Sequence, residues 1–425
     1  MIRLLFLFGS FLLFTKSLVV DHKLSDSIDC IEILGETSGR FNGKRIIGRN
    51  NITRYLDNSS INKICIKSKK TDHELAKTIT EILSNQKSLY DLTVWVSEAS
   101  EQFELMLESL KGTFVDSLTI IFEIRNGSKG IDKALSNLDL KSLKIVSENR
   151  LDDNFIFDLS KGLKGSQLTR LSLHGSMSHK GVQNIADHLP DLTSLSIRGS
   201  NIDDEAARII SKRLRDSSIA SFTLSGSFGD LGLSAITDQL PNSRVTSLKL
   251  IGDFGDQGLS ALSSSRPSNL TILRLASSSI GSDDGMESLA NYLRGSRVST
   301  LSLAGCKIGD DSILILADVL GEIPLHDLSI NDFRGLSLQS SPGCGKLGDW
   351  SAFAITKAMR FSQLATLNIA STDFSKNALW RLSRAIEESQ LIQVSITDGN
   401  SHLILARKDS NLSKGKHHTL LISEF

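Results

Sequence analysis

The side chains that could do chemistry in this chain are few. It has 4 Cys and 9 His in 425 residues, a handful of paired acids and one glycine-rich loop. Among the His, His174, His179 and His188 fall on different parts of one segment, none sits in an H-E-x-x-H spacing, and Lys416-His417-His418 reads as a solvated tail. No G-x-S-x-G and no Cys/His constellation occurs. Gly343-Cys344-Gly345-Lys346-Leu347-Gly348 is a literal G-x-G-x-x-G. That motif cradles pyrophosphate only where its first Gly closes a strand of a dinucleotide-binding βαβ unit; here the preceding strand should end near Ile330, so a pinned loop is the better reading. The acidic pairs Asp203-Asp204, Asp283-Asp284 and Asp310-Asp311 suit helix N-termini better than a metal. No catalytic residue, metal or cofactor is expected, and the chain reads as a non-enzyme.

The elements that must position these residues follow from one recurring pattern, L-x-x-L-x-L with Ile, Val or Phe sometimes replacing Leu. It starts at Ile61, Leu89, Val115, Leu140, Leu168, Leu192, Ile219, Val245, Leu270, Val298, Leu325, Leu364 and Leu391. Neighbouring starts lie 24 to 28 residues apart, except for 39 between Leu325 and Leu364. A period in the twenties marks a solenoid of stacked units. In residues 168–191 Leu171 and Leu173 alternate with Arg170 and Ser172, which predicts a short strand with one buried face. A Gly-containing turn follows, then Ile185 and Leu189 at helical spacing, then Pro190 as a stop. Successive strands must be parallel because each return passes through a helix.

These residues resemble the leucine-rich repeat. The long repeat and its helix are similar to the ribonuclease-inhibitor type, and LSLAGCKIGDDSILILADVL is similar to the cysteine-containing type found in F-box proteins. The resemblance covers roughly Ile61 to Ile396. It implies an α/β fold: a right-handed leucine-rich-repeat solenoid, or horseshoe, with parallel strands on the concave face and helices on the convex face. The family's Asn/Cys turn position is mostly Ser here (Ser176, Ser200, Ser227, Ser278), with Asp253, Cys306, Phe333 and Thr372 as the others. Small hydrogen-bonding side chains can still cap the turn, whereas Phe333 cannot.

Residues 1–17 read as a secretory signal peptide: Arg3, an apolar run from Leu4 to Phe14, and a cut after Ser17. No later run reaches the ~18 apolar residues of a membrane span, so a secreted or exported chain is expected, and a cytoplasmic one only if this segment is not a signal. Residues 18–60 should form an N-terminal cap, 61–396 the repeats with an insertion near 333–345, and 397–425 a C-terminal cap. Export suits disulfides, and the local pairing of the Cys is Cys30–Cys65 and Cys306–Cys344; four thiols used as small core residues are the alternative. The sequons at Asn51, Asn58, Asn126, Asn269 and Asn411 are about as numerous as chance predicts, roughly four for this composition. A net charge of zero argues against nucleic acid as the partner.

Counting from each first Leu says which side chains face outward. Most are Ser or Thr, with two departures. Trp95, Ile121 and Val146 share one outward position in successive repeats, with Tyr90 nearby, and resemble interface anchors. Lys141, Lys144, Arg170, Arg198, Lys249 and Arg274 form a basic band suited to an acidic protein or a sulfated glycan. The expected function is an exported recognition solenoid that binds a protein or glycan partner on its concave face and insertion loop. An intracellular adaptor or activator of the ubiquitin-ligase or GTPase-activating type, or an inhibitor of a secreted hydrolase, would use the same scaffold.

Overall fold

The structure is a computed structural model. It describes residues 30–35, 38–41, 44–47, 63–68 and 91–98, and then 107–424 with breaks at 109, 126–130, 137, 165, 188–191, 266–267, 332–345, 399–400 and 407–420. The chain folds as two compact units, residues 1–202 with 216–219, and residues 203–215 with 220–425.

The first unit contains β1 (Cys30–Gly35), β2 (Ser38–Phe41), β3 (Lys44–Ile47), β4 (Lys63–Ser68), β5 (Asp91–Glu98), β6 (Ser117–Arg125), α1 (Ile131–Ser136), β7 (Ser142–Arg150), α2 (Asp153–Leu163), β8 (Arg170–Ser176), α3 (His179–Ala186) and β9 (Ser194–Arg198). From β4 to β9 each strand pairs in parallel with the next. β1 joins β4 in parallel, with Cys30 opposite Cys65 in the backbone register. β2 and β3 fold back antiparallel beside β1.

The second unit contains α4 (Asp204–Leu214), β10 (Ser221–Ser225), α5 (Asp230–Thr237), β11 (Ser247–Ile251), α6 (Asp256–Ser264), β12 (Ile272–Ala276), α7 (Asp283–Arg294), β13 (Thr300–Ala304), α8 (Asp310–Val319), β14 (Asp327–Ile330), α9 (Asp349–Met359), β15 (Thr366–Ala370), α10 (Lys376–Glu388), β16 (Gln393–Asp398), β17 (Ser401–Ala406) and β18 (Leu421–Glu424). β10 to β16 are parallel and in sequence order. β17 and β18 then close the sheet with antiparallel pairings.

Each unit is therefore the leucine-rich-repeat alternation of strand and helix. The second and third apolar residues of the pattern point into the core. In the second unit Leu248, Leu273, Leu301, Leu328, Leu367 and Val394 share one register row and are essentially inaccessible to water. Each such side chain contributes about 1.5–3 kcal/mol of burial. Phe228 and Phe254 stack at 5.6 Å between centroids one repeat apart, and Phe122 meets Phe155 edge-on at 5.5 Å in the first unit.

Two polar ladders tie the repeats together. A Ser two residues before the first apolar residue closes the helix-to-strand turn: Ser243 Oγ donates to the Leu240 carbonyl at 2.9 Å and accepts from Val245 N at 3.3 Å. Ser166, Ser296 and Ser362 repeat the same pair of bonds. The second ladder revises the reading of the acidic residues. Asp203 caps its own helix, accepting from Ala206 N at 3.0 Å, but Asp204 reaches the next one. Its Oδ1 accepts from Gly229 N at 2.7 Å and Gly232 N at 2.8 Å. Asp230 does the same for Gly255 at 2.7 Å and Gly258 at 2.9 Å. Asp310 accepts from Gly348 N at 2.8 Å and Ser351 N at 3.2 Å. These carboxylates satisfy the orphan N–H groups of helices that have Gly, not Ser or Asp, at the N-cap. The backbone must come close: a Cβ on Gly258 would lie 2.8 Å from Asp230 Oδ1.

Candidate functional site

Register settles what the outward positions offer. In the first unit one row across neighbouring strands reads Trp95, Ile121, Val146, His174, Arg198. Each of these lies six residues after the first apolar residue of its repeat, so the row taken as apolar from the sequence continues into two cation-forming side chains. Lys144 lies in the adjoining outward row, between Thr119 and Ser172. His174 is the functional candidate that sequence reasoning passed over. Extending the Trp95 row by one repeat past Val146 reaches it.

Lys144, His174 and Arg198 are half-buried and act on one another. Burial, with Arg198 and then Lys144 adding to it, pushes His174 down to about 3. Burial and then Arg198 hold the Lys144 ammonium below its ordinary value, and burial does the same to the Arg198 guanidinium. Ser172 Oγ and His174 Nε2 share a hydrogen bond at 3.1 Å. The Arg198 Nε is buried without a hydrogen-bond partner. Neither Lys144 nor Arg198 forms a salt bridge with any described residue; the first-unit pairs are Lys141–Asp116 at 3.2 Å and Arg150–Asp153 at 3.5 Å. An uncompensated charge removed from water is destabilising by about 3–5 kcal/mol when fully buried, and Lys144 and Arg198, half-buried, carry part of that penalty.

The other expected site residues separate. Ile121 and Val146 are only 6% and 7% exposed, so they are not an open patch. Strand neighbours stand about 4.8 Å apart, and Trp95 and His174 flank them in the row. Trp95 itself is half-buried. Lys141 precedes β7 and is tied to Asp116, which removes it from the band. Arg170 is exposed in a different row, between Ser142 and Ser194. Tyr90 lies outside the described residues, as do Asn51, Asn58, Asn126 and Asn411; Asn269 is exposed. Cys306 is fully buried, its Sγ 3.3 Å from the Ala304 carbonyl, and Cys344 lies outside the described residues with the insertion near 333–345. Of the glycine motif, Gly348 is described, and its N–H is taken by Asp310, not presented to a phosphate.

Lys249 and Arg274 belong to the second unit, where they are register neighbours. They line one side of a recess of about 470 Å³ on the open sheet face, with Asp327 in its wall. The Asp327 carboxylate accepts from Thr300 Oγ1 at 3.1 Å and from Thr366 Oγ1. Among the described residues no group of His, Cys, Asp or Glu is placed to hold a metal, and no helix is long and apolar enough to cross a membrane.

Fold and site together define a repeat scaffold of the leucine-rich type with a charged, partly desolvated patch on the outward side of its strands. No family model matches the chain and no curated protein matches it in sequence. Solved structures similar to it include a chain of the Rad7 and Elc1 complex in yeast, 14% identical over 77% of this chain and 84% of that one, with a TM-score of 0.46. The leucine-rich repeat-containing protein LegL7 from Legionella pneumophila is 16% identical over 72% of this chain and 91% of that one, with a TM-score of 0.42. A chain of the TLR13–ssRNA13 complex is 15% identical over 80% of this chain and 53% of that one, with a TM-score of 0.41.

Proposed function

We propose that this chain is an exported, non-enzymatic recognition scaffold whose first unit captures a protein partner through an acidic side chain. The observation that carries the reading is the two cations Lys144 and Arg198 on either side of a neutral His174, half-buried and lacking any ion-pair partner among the described residues. Supplying the missing anion turns a destabilising feature into binding energy, because a charge pair shielded from water is stronger than one at an exposed rim. Trp95, at the far end of the same row, adds the aromatic contact that interface centres favour. The apolar run of residues 4–14 supports export.

The test is zero-length carbodiimide crosslinking of the full chain with its extracellular fluid, followed by mass spectrometry. The expected product joins the Lys144 amine to an Asp or Glu of the partner, and Arg198→Ala should abolish it while the chain still melts cooperatively, at a temperature no lower than wild type. Equal capture by wild type and Arg198→Ala, with Lys144 unmodified, would overturn the site. A secreted chain whose N-terminus is Leu18 is expected; a cytosolic chain that keeps Met1 would overturn the assignment of export.

A further inference from the structure

The helix layer of the second unit carries an apolar row of its own. Leu314, Phe353 and Trp380 each lie five residues after the N-cap of their helix, at Gly309, Gly348 and Ser375. They occupy one position on three successive helices, α8, α9 and α10, and are 39%, 47% and 57% exposed. Trp350, one turn before Phe353 on the same face of α9, is 68% exposed. The fold does not demand this: the same position on α5, α6 and α7 holds Ser234, Ser260 and Glu287. Four such side chains leave roughly 500 Å² of apolar surface in water, a size at which single-chain patches are commonly functional.

The charges framing the row are arranged by sign. On α8, Asp311 and Asp318 are exposed and flank Leu314 at three residues before and four after. At the place of Asp318, nine residues past the N-cap, α9 has Lys357 and α10 has Arg384, both exposed. The Arg384 guanidinium lies over the Trp380 ring at 5.2 Å, so it stands beside the apolar row. α8 therefore edges the patch with acids, while α9 and α10 place Lys357 and Arg384 beside the aromatic surface, Arg384 also lying 4.0 Å from Glu388 of its own helix.

We propose that this face pairs with a second copy of the chain about a two-fold axis running parallel to α9. Such an axis exchanges α8 with α10. It lays Leu314 against Trp380 of the second copy, Phe353 and Lys357 each against its own equivalent, and Asp318 opposite Arg384, twice per dimer. A closed isologous contact needs this kind of self-complementarity. At roughly 500 Å² the apolar patch is smaller than the ~800 Å² per partner of a standard interface, as suits a weak, reversible dimer. A membrane surface is the poorer fit, because Asp311 and Asp318 would face anionic headgroups.

Sedimentation equilibrium on the full chain tests this. Wild type should dimerise reversibly at micromolar concentration, and Phe353→Glu with Trp380→Glu should be monomeric with an unchanged circular-dichroism melt. Asp318→Arg alone and Arg384→Asp alone should each weaken the dimer at least about tenfold, since each creates two like-charge contacts. The combined swap should return the constant to within about threefold of wild type. A wild-type monomer at all concentrations, including one that instead sediments with anionic vesicles, overturns the proposal. So does a dimer whose charge swaps are additive, because Asp318 and Arg384 would then not face each other.

Discussion

Replacing His174 by Gln removes what burial, with Arg198 and Lys144 adding to it, does through this ring to the stability of the free chain. Burial, Arg198 and Lys144 hold the folded imidazole at about 3, against about 6.5 in an unfolded chain. Between these values the unfolded chain binds the proton and the folded chain does not. The contribution of His174 to stability is thus fully present above pH 6.5 and is lost as pH falls toward 3. Integrating between pH 7 and pH 5 with these two values gives a loss of about 2 kcal/mol. His174 keeps some contact with solvent, so this is an upper bound. Urea unfolding monitored by circular dichroism at pH 7 and pH 5 measures it. Wild type should lose up to that amount, and His174→Gln, which cannot titrate, should lose that much less. Equal losses in the two proteins would refute the cluster's hold on His174.

Other consequences can be measured on the same footing. Arg198→Met should raise the His174 titration midpoint and stabilise the free chain by about 1–2 kcal/mol in urea melts, because it removes an unpaired charge. Asp230→Ala removes the acceptor for Gly255 and Gly258 N–H and should destabilise by about 1–2 kcal/mol in the same assay. Gly258→Ala forces a methyl against Asp230 Oδ1 and Leu233 Cδ2, both 2.8 Å away, and should cost about 1–3 kcal/mol. Phe254→Ala empties the stack on Phe228 and should lower stability by about 3–5 kcal/mol, visible as a reduced urea midpoint.

The repeat was legible because the L-x-x-L-x-L residues do a single job, filling the core, and their period survives every change around them. Counting from Leu168 predicts that Leu171 and Leu173 are buried and Arg170 exposed, as found. The site was legible only in part. Position gives the direction of a side chain but not what flanks it: Ile121 and Val146 face outward yet are covered, and Lys141 is held aside by Asp116. The Asp ladder was hidden because a helix-start Asp looks the same whether it caps its own helix or the next. At Gly229, Gly255 and Gly348 its trace in sequence is the Gly at the following N-cap, whereas Asp349 reaches the next helix at a Ser N-cap, Ser375, and leaves none. The helix-layer row Leu314, Phe353, Trp380 emerges only once each helix start is fixed, since helix positions cannot be aligned from the strand pattern across the longer repeat.

The proposed capture seats an acidic side chain of the partner among Lys144, His174 and Arg198. Its most direct test is the nuclear magnetic resonance titration of the His174 ring, first in the free chain and then in the complex with the captured partner. A carboxylate seated among the three offsets the repulsion from Arg198 and Lys144, so the midpoint should rise above its free value of about 3. A midpoint that stays at its free value in a fully formed complex would contradict the account.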